Sequence, residues 1–132
     1  MHNTRRTTVK HLILALAIAA SPLAAAAHET AKGPNGGPVV DSSGHHVEMV
    51  AKDTSLVVYL TEGADKPLAS AGTKNARAIV QDGGNTATVP LQPAEPNKLV
   101  GALAQPLGSG ARVVVSATMA DGHTVQARFA GN

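Results

Sequence analysis

Three residues in one short segment, His45, His46 and Glu48, carry side chains that bind metal ions. They lie in the stretch GPNGGPVVDSSGHHVEMV, residues 33–50. Imidazole nitrogen suits Cu(II), Zn(II), Ni(II) or Co(II), and one carboxylate can complete such a site. The segment therefore predicts a candidate metal site near the amino terminus of the folded part of the chain.

The spacing of these residues assigns them to different faces of a strand. Side chains two residues apart on a strand point to the same face, so His46 and Glu48 can approach one ion from one side. We expect both to face solvent, because Val47 and Met49 have the character of core residues. His45 then lies at the rim of the core face. The alternative interpretation is a solvated polar pair without a metal.

A fourth candidate ligand, His28, follows the small residues Ala25, Ala26 and Ala27. Cleavage of an export signal after Ala27 would leave His28 with a free α-amine, and the amine and the imidazole together chelate copper. Cleavage one or two residues earlier also leaves a terminal arrangement that binds Cu(II) or Ni(II). The alternative is a terminus that carries an incidental histidine.

His123 is the next candidate ligand, directly after the predicted turn at residues 121–122. It is an even number of residues from the apolar residues of the last strand, so its side chain should point to the same face as theirs. We therefore expect it at the rim of the core. Met49 and Met119 have core parity as well, and their thioethers either bind Cu(I) or only fill space. These residues form one site only if the sheets bring His45, His123 and the methionines to the same end.

No catalytic residues are predicted. The chain has no G-x-S-x-G elbow, no phosphate-binding loop and no H-E-x-x-H motif. The serines, histidines and aspartate of residues 41–46 are neighbours on one turn, which does not create the geometry of a catalytic triad. We therefore expect a protein that is not an enzyme.

Residues 1–27 have the pattern of a secretory signal peptide, with a basic start, an apolar stretch and small residues before the cleavage site. Residues 4–10, TRRTTVK, resemble the twin-arginine signal, but Thr8 stands where that signal prefers a large apolar residue. We therefore expect export by the general secretory route and a periplasmic location, with no membrane span after cleavage.

The charge balance and the cysteine content bear on which partners and which metal sites to expect. Arg5, Arg6 and Lys10 leave with the signal, which reduces the eleven basic residues to eight, against nine acidic residues. This balance gives no reason to expect a nucleic-acid partner. The chain has no cysteine, which excludes disulfides and thiolate metal sites.

Apolar residues recur with period two from residue 38 onwards, and turn residues separate the alternating stretches. This pattern predicts a single domain, residues 38–132, after a flexible arm of residues 28–37. We expect a small antiparallel β-sandwich of immunoglobulin-like type with seven or eight strands, and a small β-barrel is the alternative. The predicted strands are 38–41, 45–51, 55–61, 75–82, 86–91, 97–103, 111–119 and 123–130.

The stretches GPNGGPVVD, GHHVEMV, LVVYLTEGADKPL and VQARF together resemble small exported proteins of Gram-negative bacteria. They are also similar to the amino-terminal β-domain of periplasmic adaptor subunits of cobalt–zinc–cadmium and copper efflux systems. The resemblance implies a periplasmic module for heavy-metal handling. His45, His46 and Glu48 match positions in the most distinctive stretch of the family's sequence. Because the chain ends at Asn132 without the other adaptor domains, we expect a freestanding accessory protein of such a system.

The sequence thus favours a periplasmic metal-binding protein that buffers or delivers copper, with zinc, nickel or cobalt as other ions. Its expected ligands are His28, His45, His46, Glu48 and His123. A weaker resemblance, resting on His28 alone, is to exported copper-resistance proteins whose mature chain begins with histidine on a β-sandwich. The rival hypothesis is an envelope interaction module without a metal, which binds its partner through a strand edge or the Gly/Pro-rich arm.

Overall fold

The computed structural model of the protein describes residues 31–63 and 65–130. The predicted signal peptide and His28 lie outside these residues. Within them the chain forms strands and turns and no α-helix. Accordingly, no helix long and apolar enough to cross a membrane occurs in the described part of the chain.

Ten strands are present in the described residues. All eight predicted strands are confirmed, and each observed end lies within one residue of the predicted end. The two further strands, β4 and β7, are short and contain a proline, which cannot donate to a sheet and is confined to edges. The strands are β1 Val39–Ser42, β2 His45–Lys52, β3 Ser55–Glu62, β4 Lys66–Pro67, β5 Lys74–Asp82, β6 Asn85–Pro90, β7 Gln92–Ala94, β8 Lys98–Ala102, β9 Arg112–Thr118 and β10 Thr124–Phe129.

The strands form two antiparallel sheets. One sheet has the order β1-β2-β3-β8-β7, with β4 also paired to β3, and we refer to it as the six-stranded sheet. The other has the order β10-β9-β5-β6 and is the four-stranded sheet. The division into two sheets confirms the small antiparallel β-sandwich predicted from the sequence.

Alternating burial shows which side of each strand faces the core. In β9 and β10 every second residue is buried, as the alternation in the sequence predicts. The core between the sheets is almost entirely aliphatic, and Phe129 is its one aromatic side chain. Its largest fully buried side chains are Leu56, Leu60, Leu99, Val47, Val58, Val113, Val115 and Val125.

The sandwich closes along one side where β1 meets β10. The backbone N–H of Gln126 donates to Oγ of Ser42 at 3.1 Å, and Ser42 is buried there. A two-residue turn follows, in which Ser43 and Gly44 both adopt positive φ, and it leads directly into β2. Because of this junction, the first residue of β2, His45, lies beside the start of β10.

Residues 31–37 pack against β1 and β2. The N–H of Val39 donates to the carbonyl of Ala31 at 2.8 Å, and the N–H of Gly33 donates to the carbonyl of Gly37, also at 2.8 Å. A bridge between Lys32 and Pro38 continues this pairing. A flexible arm over residues 28–37 is predicted from the sequence; in the structure its described part, residues 31–37, is hydrogen-bonded to itself and to β1 and β2.

Two adjacent valines test the assignment of faces. Val58 is fully buried in the core, whereas Val57 lies on the outer face and is partly exposed. We expect Val58→Ala to lower the free energy of unfolding by about 2–3 kcal/mol, and Val57→Ala by less than about 1 kcal/mol. Urea denaturation of both variants measures the difference. Equal losses would contradict the assignment.

Candidate functional site

The two neighbouring histidines of β2 point to opposite faces, as their parity predicts. His46 lies on the outer face of the six-stranded sheet, opposite Asp41 of β1. Its Nε2 is 3.2 Å from Oδ1 of Asp41, and both side chains are substantially exposed. His45 begins β2 on the inner side, at the rim of the core. The sequence analysis therefore placed both histidines correctly.

Glu48 does not face solvent, which corrects the sequence analysis. It has the outward parity of His46, but residues 33–37 fold over it and leave only 4% of the residue exposed. Its Oε2 accepts the backbone N–H groups of Asn35 and Gly37, each at 3.0 Å. Its Oε1 accepts Nδ2–H of Asn35 at 3.0 Å. The carboxylate thus holds the covering turn in place and is already surrounded by N–H donors.

Glycine at position 33 permits this close cover. A Cβ added to Gly33 would clash with the carboxylate of Glu48, so any larger residue would push the turn away from β2. Successive N–H groups that converge on one anion are a common way to stabilise a buried carboxylate without a cation. The burial of Glu48 therefore explains the glycine at position 33, whereas Gly36 adopts a positive φ and Gly37 packs against the backbone of Met49.

His45 and His123 are 78 positions apart in the chain, and the fold brings them into contact. Their Nε2 atoms are 3.0 Å apart, and their rings stack with centroids 5.0 Å apart and planes inclined by 28°. His123 lies in the turn between β9 and β10, beside the junction of β1 with β10. The structure thus unites two of the five predicted ligands, both of them at the core rim.

A carboxylate fixes the protonation of this pair. Oδ1 of Asp121 contacts Nδ1 of His123 at short range and also accepts the backbone N–H of His123 at 3.0 Å. An ionised carboxylate only accepts hydrogen bonds, so the proton belongs on Nδ1 of His123. In a neutral His123 the Nε2 atom then carries a lone pair, directed at His45.

The same assignment determines the state of His45. Its Nε2 must donate to the lone pair of His123, which leaves Nδ1 of His45 unprotonated. That Nδ1 atom is buried and has no hydrogen-bond partner among the described residues. The pair is thus held together by one proton between two nitrogens, and the inner histidine is only partly satisfied.

The distance between the two Nε2 atoms suits a single metal ion. Metal–nitrogen bonds of about 2.0–2.1 Å would meet at an angle of about 95° if the two atoms stay 3.0 Å apart. This angle lies between that of neighbouring ligands in a square plane and that in a tetrahedron.

Further ligands are few. The described residues contain no group of three His, Cys, Asp or Glu side chains that could hold an ion. Met119 pairs with His123 across the hairpin, its N–H donating to the His123 carbonyl at 2.8 Å, so the two residues share a face. Met49 is four residues along β2 from His45, about 13 Å away, and does not belong to this cluster.

The sequence analysis did not identify Asp121 as a partner of His123. The D-G-H spacing offered a signal, because an Asp in a turn often accepts the N–H two residues later. It also missed the role of Asn35, whose hydrogen bonds to Glu48 depend on how residues 33–37 fold back. Of the remaining predicted ligands, His46 pairs with Asp41 and lies away from the His45–His123 pair.

Comparison with known proteins gives little further information. No protein-family model matches the chain, and no curated protein matches it. A solved structure that resembles it is the archaellum periplasmic stator protein FlaG from Sulfolobus acidocaldarius, with 18% sequence identity and a TM-score of 0.36. That alignment covers 63% of this chain and 99% of the FlaG chain.

The structural role of Glu48 is testable with a minimal substitution. Glu48→Gln replaces one accepting carboxylate oxygen with an NH₂ group. This NH₂ donor then faces the N–H donors of the covering turn and leaves them without an acceptor. We expect it to lower the free energy of unfolding by about 2–3 kcal/mol in urea denaturation. Glu62→Gln, at an exposed end of β3, is the control and should change stability by less than about 0.5 kcal/mol. Equal stabilities of the two variants would refute the anchoring role.

The hydrogen bonds from His123, first from its backbone N–H and then from its ring, hold the pKa of Asp121 below its ordinary value. A carboxylate with a lowered pKa in the folded state stabilises the fold above its unfolded-state pKa, and this contribution disappears as the pH falls through the folded-state value. We expect a carbon-13 NMR titration of the carboxyl group to show a low midpoint, which His123→Ala raises only in part because the backbone donor remains. An unchanged midpoint in His123→Ala would contradict the ring contact.

Proposed function

We propose that the protein is a periplasmic metal-binding protein that buffers or delivers copper, and that His45 and His123 are its central ligands. The observation that carries this proposal is the 3.0 Å approach of their Nε2 atoms at the junction of the two sheets. Location in the periplasm rests on the signal-like residues 1–27, and a link to heavy-metal efflux rests on the resemblance described above.

The contact between Asp121 and His123 supports a role in metal binding. Histidines that bind metals commonly donate their second ring N–H to a carboxylate, which orients the ring and raises the basicity of the ligating nitrogen. His123 has this arrangement: Nδ1 faces Asp121 and Nε2 faces the inner histidine.

The donor types favour copper over the other ions. Sites of nitrogen donors bind Cu(II) more tightly than Co(II), Ni(II) or Zn(II), and thioethers select Cu(I). Met119, opposite His123 on the same face, is the candidate thioether ligand for Cu(I). His28 is the remaining candidate for a third nitrogen ligand. Glu48 and His46, both predicted as ligands, are left out because one is enclosed by N–H donors and the other lies on the opposite side of β2.

We further propose that the protein performs no catalysis and acts by holding the ion. Two imidazoles at a partly exposed rim leave coordination positions open to solvent or to a ligand from a partner. Such an open site suits exchange of the ion with an efflux component, since the incoming ligand can bind before the old one leaves. In this proposal the accessory role comes from exchange at the rim, not from chemistry on a substrate.

Titration with Cu(II) and Zn(II), followed by calorimetry, tests this proposal. Loss of an orienting residue alone typically weakens metal sites ten- to a hundredfold, so we expect His45→Ala and His123→Ala to weaken binding by at least about a hundredfold. His46→Ala is the matched control, with the neighbouring imidazole removed, and should have no effect. His28→Ala shows whether copper also binds at the amino terminus, apart from the His45–His123 pair.

The pH dependence gives a second criterion in the same experiment. Protons compete with the metal for imidazole nitrogen, so lowering the pH from neutral to about 5.5 should weaken binding in the wild type. Unchanged affinity in both His45→Ala and His123→Ala would refute the proposed site. An equal loss in His46→Ala would place the ion on the outer face instead.

A further inference from the structure

Charge is distributed unequally between the two sheets. The outward face of the four-stranded sheet carries the three arginines of the described residues, Arg77 on β5, Arg112 on β9 and Arg128 on β10. All three are exposed and alternate along their strands with buried core residues. The four-stranded sheet also carries one exposed lysine, Lys74 at the start of β5, opposite Thr118. The strands of the six-stranded sheet carry lysines and no arginine.

Within the four strands of this sheet, no carboxylate shares the outward face with these arginines. The only acid in the four strands is Asp82, at the end of β5. It is adjacent to the outward Gln81, so it points to the other side, where its carboxylate accepts the N–H of Gly108 at 2.8 Å. The ion pairs found among the described residues involve Asp41, Glu62 and Asp121, and none includes an arginine. The face therefore has an uncompensated positive charge.

An aliphatic centre lies between the arginines. Ile79 and Val114 are directly opposite each other on β5 and β9, and both are partly exposed on the outward side. Val114 also pairs with Arg128, and the next outward residue on β9 is Arg112. A shallow cavity of about 480 Å³ opens here. Its lining includes Ile79, Gln81, Thr86, Arg112, Val114 and Arg128.

The register sets the spacing of the charges. From the strand separation and rise, the Cα atoms of Arg112 and Arg128 lie about 8 Å apart, and that of Arg77 lies about 14 Å from Arg112 and about 12 Å from Arg128. The three guanidinium groups are therefore anchored at separate points of the face, with the aliphatic centre between them. An extended partner with several carboxylates can contact all of them and cover the aliphatic centre.

We infer that this arginine face, defined by Arg77, Arg112, Arg128, Ile79 and Val114, docks an acidic segment of a partner protein. Guanidinium groups pair with carboxylates in bidentate geometry, and arginine is enriched in protein interfaces while lysine is depleted. Three of the four outward cations of this sheet are arginines and the fourth is Lys74, whereas every cation on the strands of the other sheet is a lysine; an anionic membrane attracts lysine and arginine about equally, so it would not explain this difference. The inference does not depend on the histidine pair, which lies at the junction of the sheets.

The test uses two synthetic peptides. In the first, glutamates flank a central pair of valines, and in the second every glutamate is replaced by glutamine. NMR titration should show shifts of the Ile79 and Val114 methyl groups with the acidic peptide, and added salt should reduce its affinity. The glutamine peptide should bind at least about tenfold more weakly.

Charge-reversal variants locate the binding face. We expect Arg112→Glu and Arg128→Glu to weaken the acidic peptide at least about tenfold, whereas Lys52→Glu and Lys66→Glu, on the six-stranded sheet, should weaken it no more than about twofold. All four positions are exposed, so the substitutions should leave the fold intact, and unchanged dispersion of the amide NMR signals checks this. Unchanged Cu(II) affinity in the same variants shows that this face acts separately from the histidine pair.

Three outcomes would overturn the inference. Equal losses in all four variants would show a non-specific charge effect, and equal binding of both peptides would show that carboxylates are not recognised. Binding to vesicles of phosphatidylcholine and phosphatidylglycerol without binding to the acidic peptide would assign the face to a membrane surface.

Discussion

Burial of one aliphatic side of every long strand is the constraint on which the structure depends. The chain has little aromatic material, so valine, leucine and alanine must fill the space between the sheets, and burial of their apolar surface supplies most of the stability. A shift of one residue in any strand would turn its buried side chains to solvent. The register of each pair is therefore fixed, and with it the direction of every polar side chain.

The candidate metal site follows from this parity. His45 and His46 are neighbours in sequence, yet the alternation sends one to the core rim and the other to the outer face. His123 has inward parity on a different sheet, and the contact of β1 with β10 brings it to His45. The same rule leaves the arginines of the four-stranded sheet on its outer face. The two proposed sites therefore lie on separate surfaces of a small domain.

The sequence predicted the features that depend on local pattern. Strand positions and faces follow from the alternation and from turn residues, and both are confirmed. The burial of Glu48 was not predictable in this way, because it depends on residues 33–37 folding back over β2. The contact between His45 and His123 also required the topology, since parity placed each at a rim but did not show that the two rims meet.

Imidazole nitrogen NMR tests the central claim most directly, because it observes each ligating atom. Long-range proton–nitrogen spectra before and after addition of Zn(II) distinguish ring nitrogens that carry a proton, a lone pair or a metal. The account predicts a proton on Nδ1 of His123 without metal, and a joint shift of Nε2 in His45 and His123 when the metal is added, while His46 stays unchanged. A shift confined to His46, or no shift in either member of the pair, would contradict it.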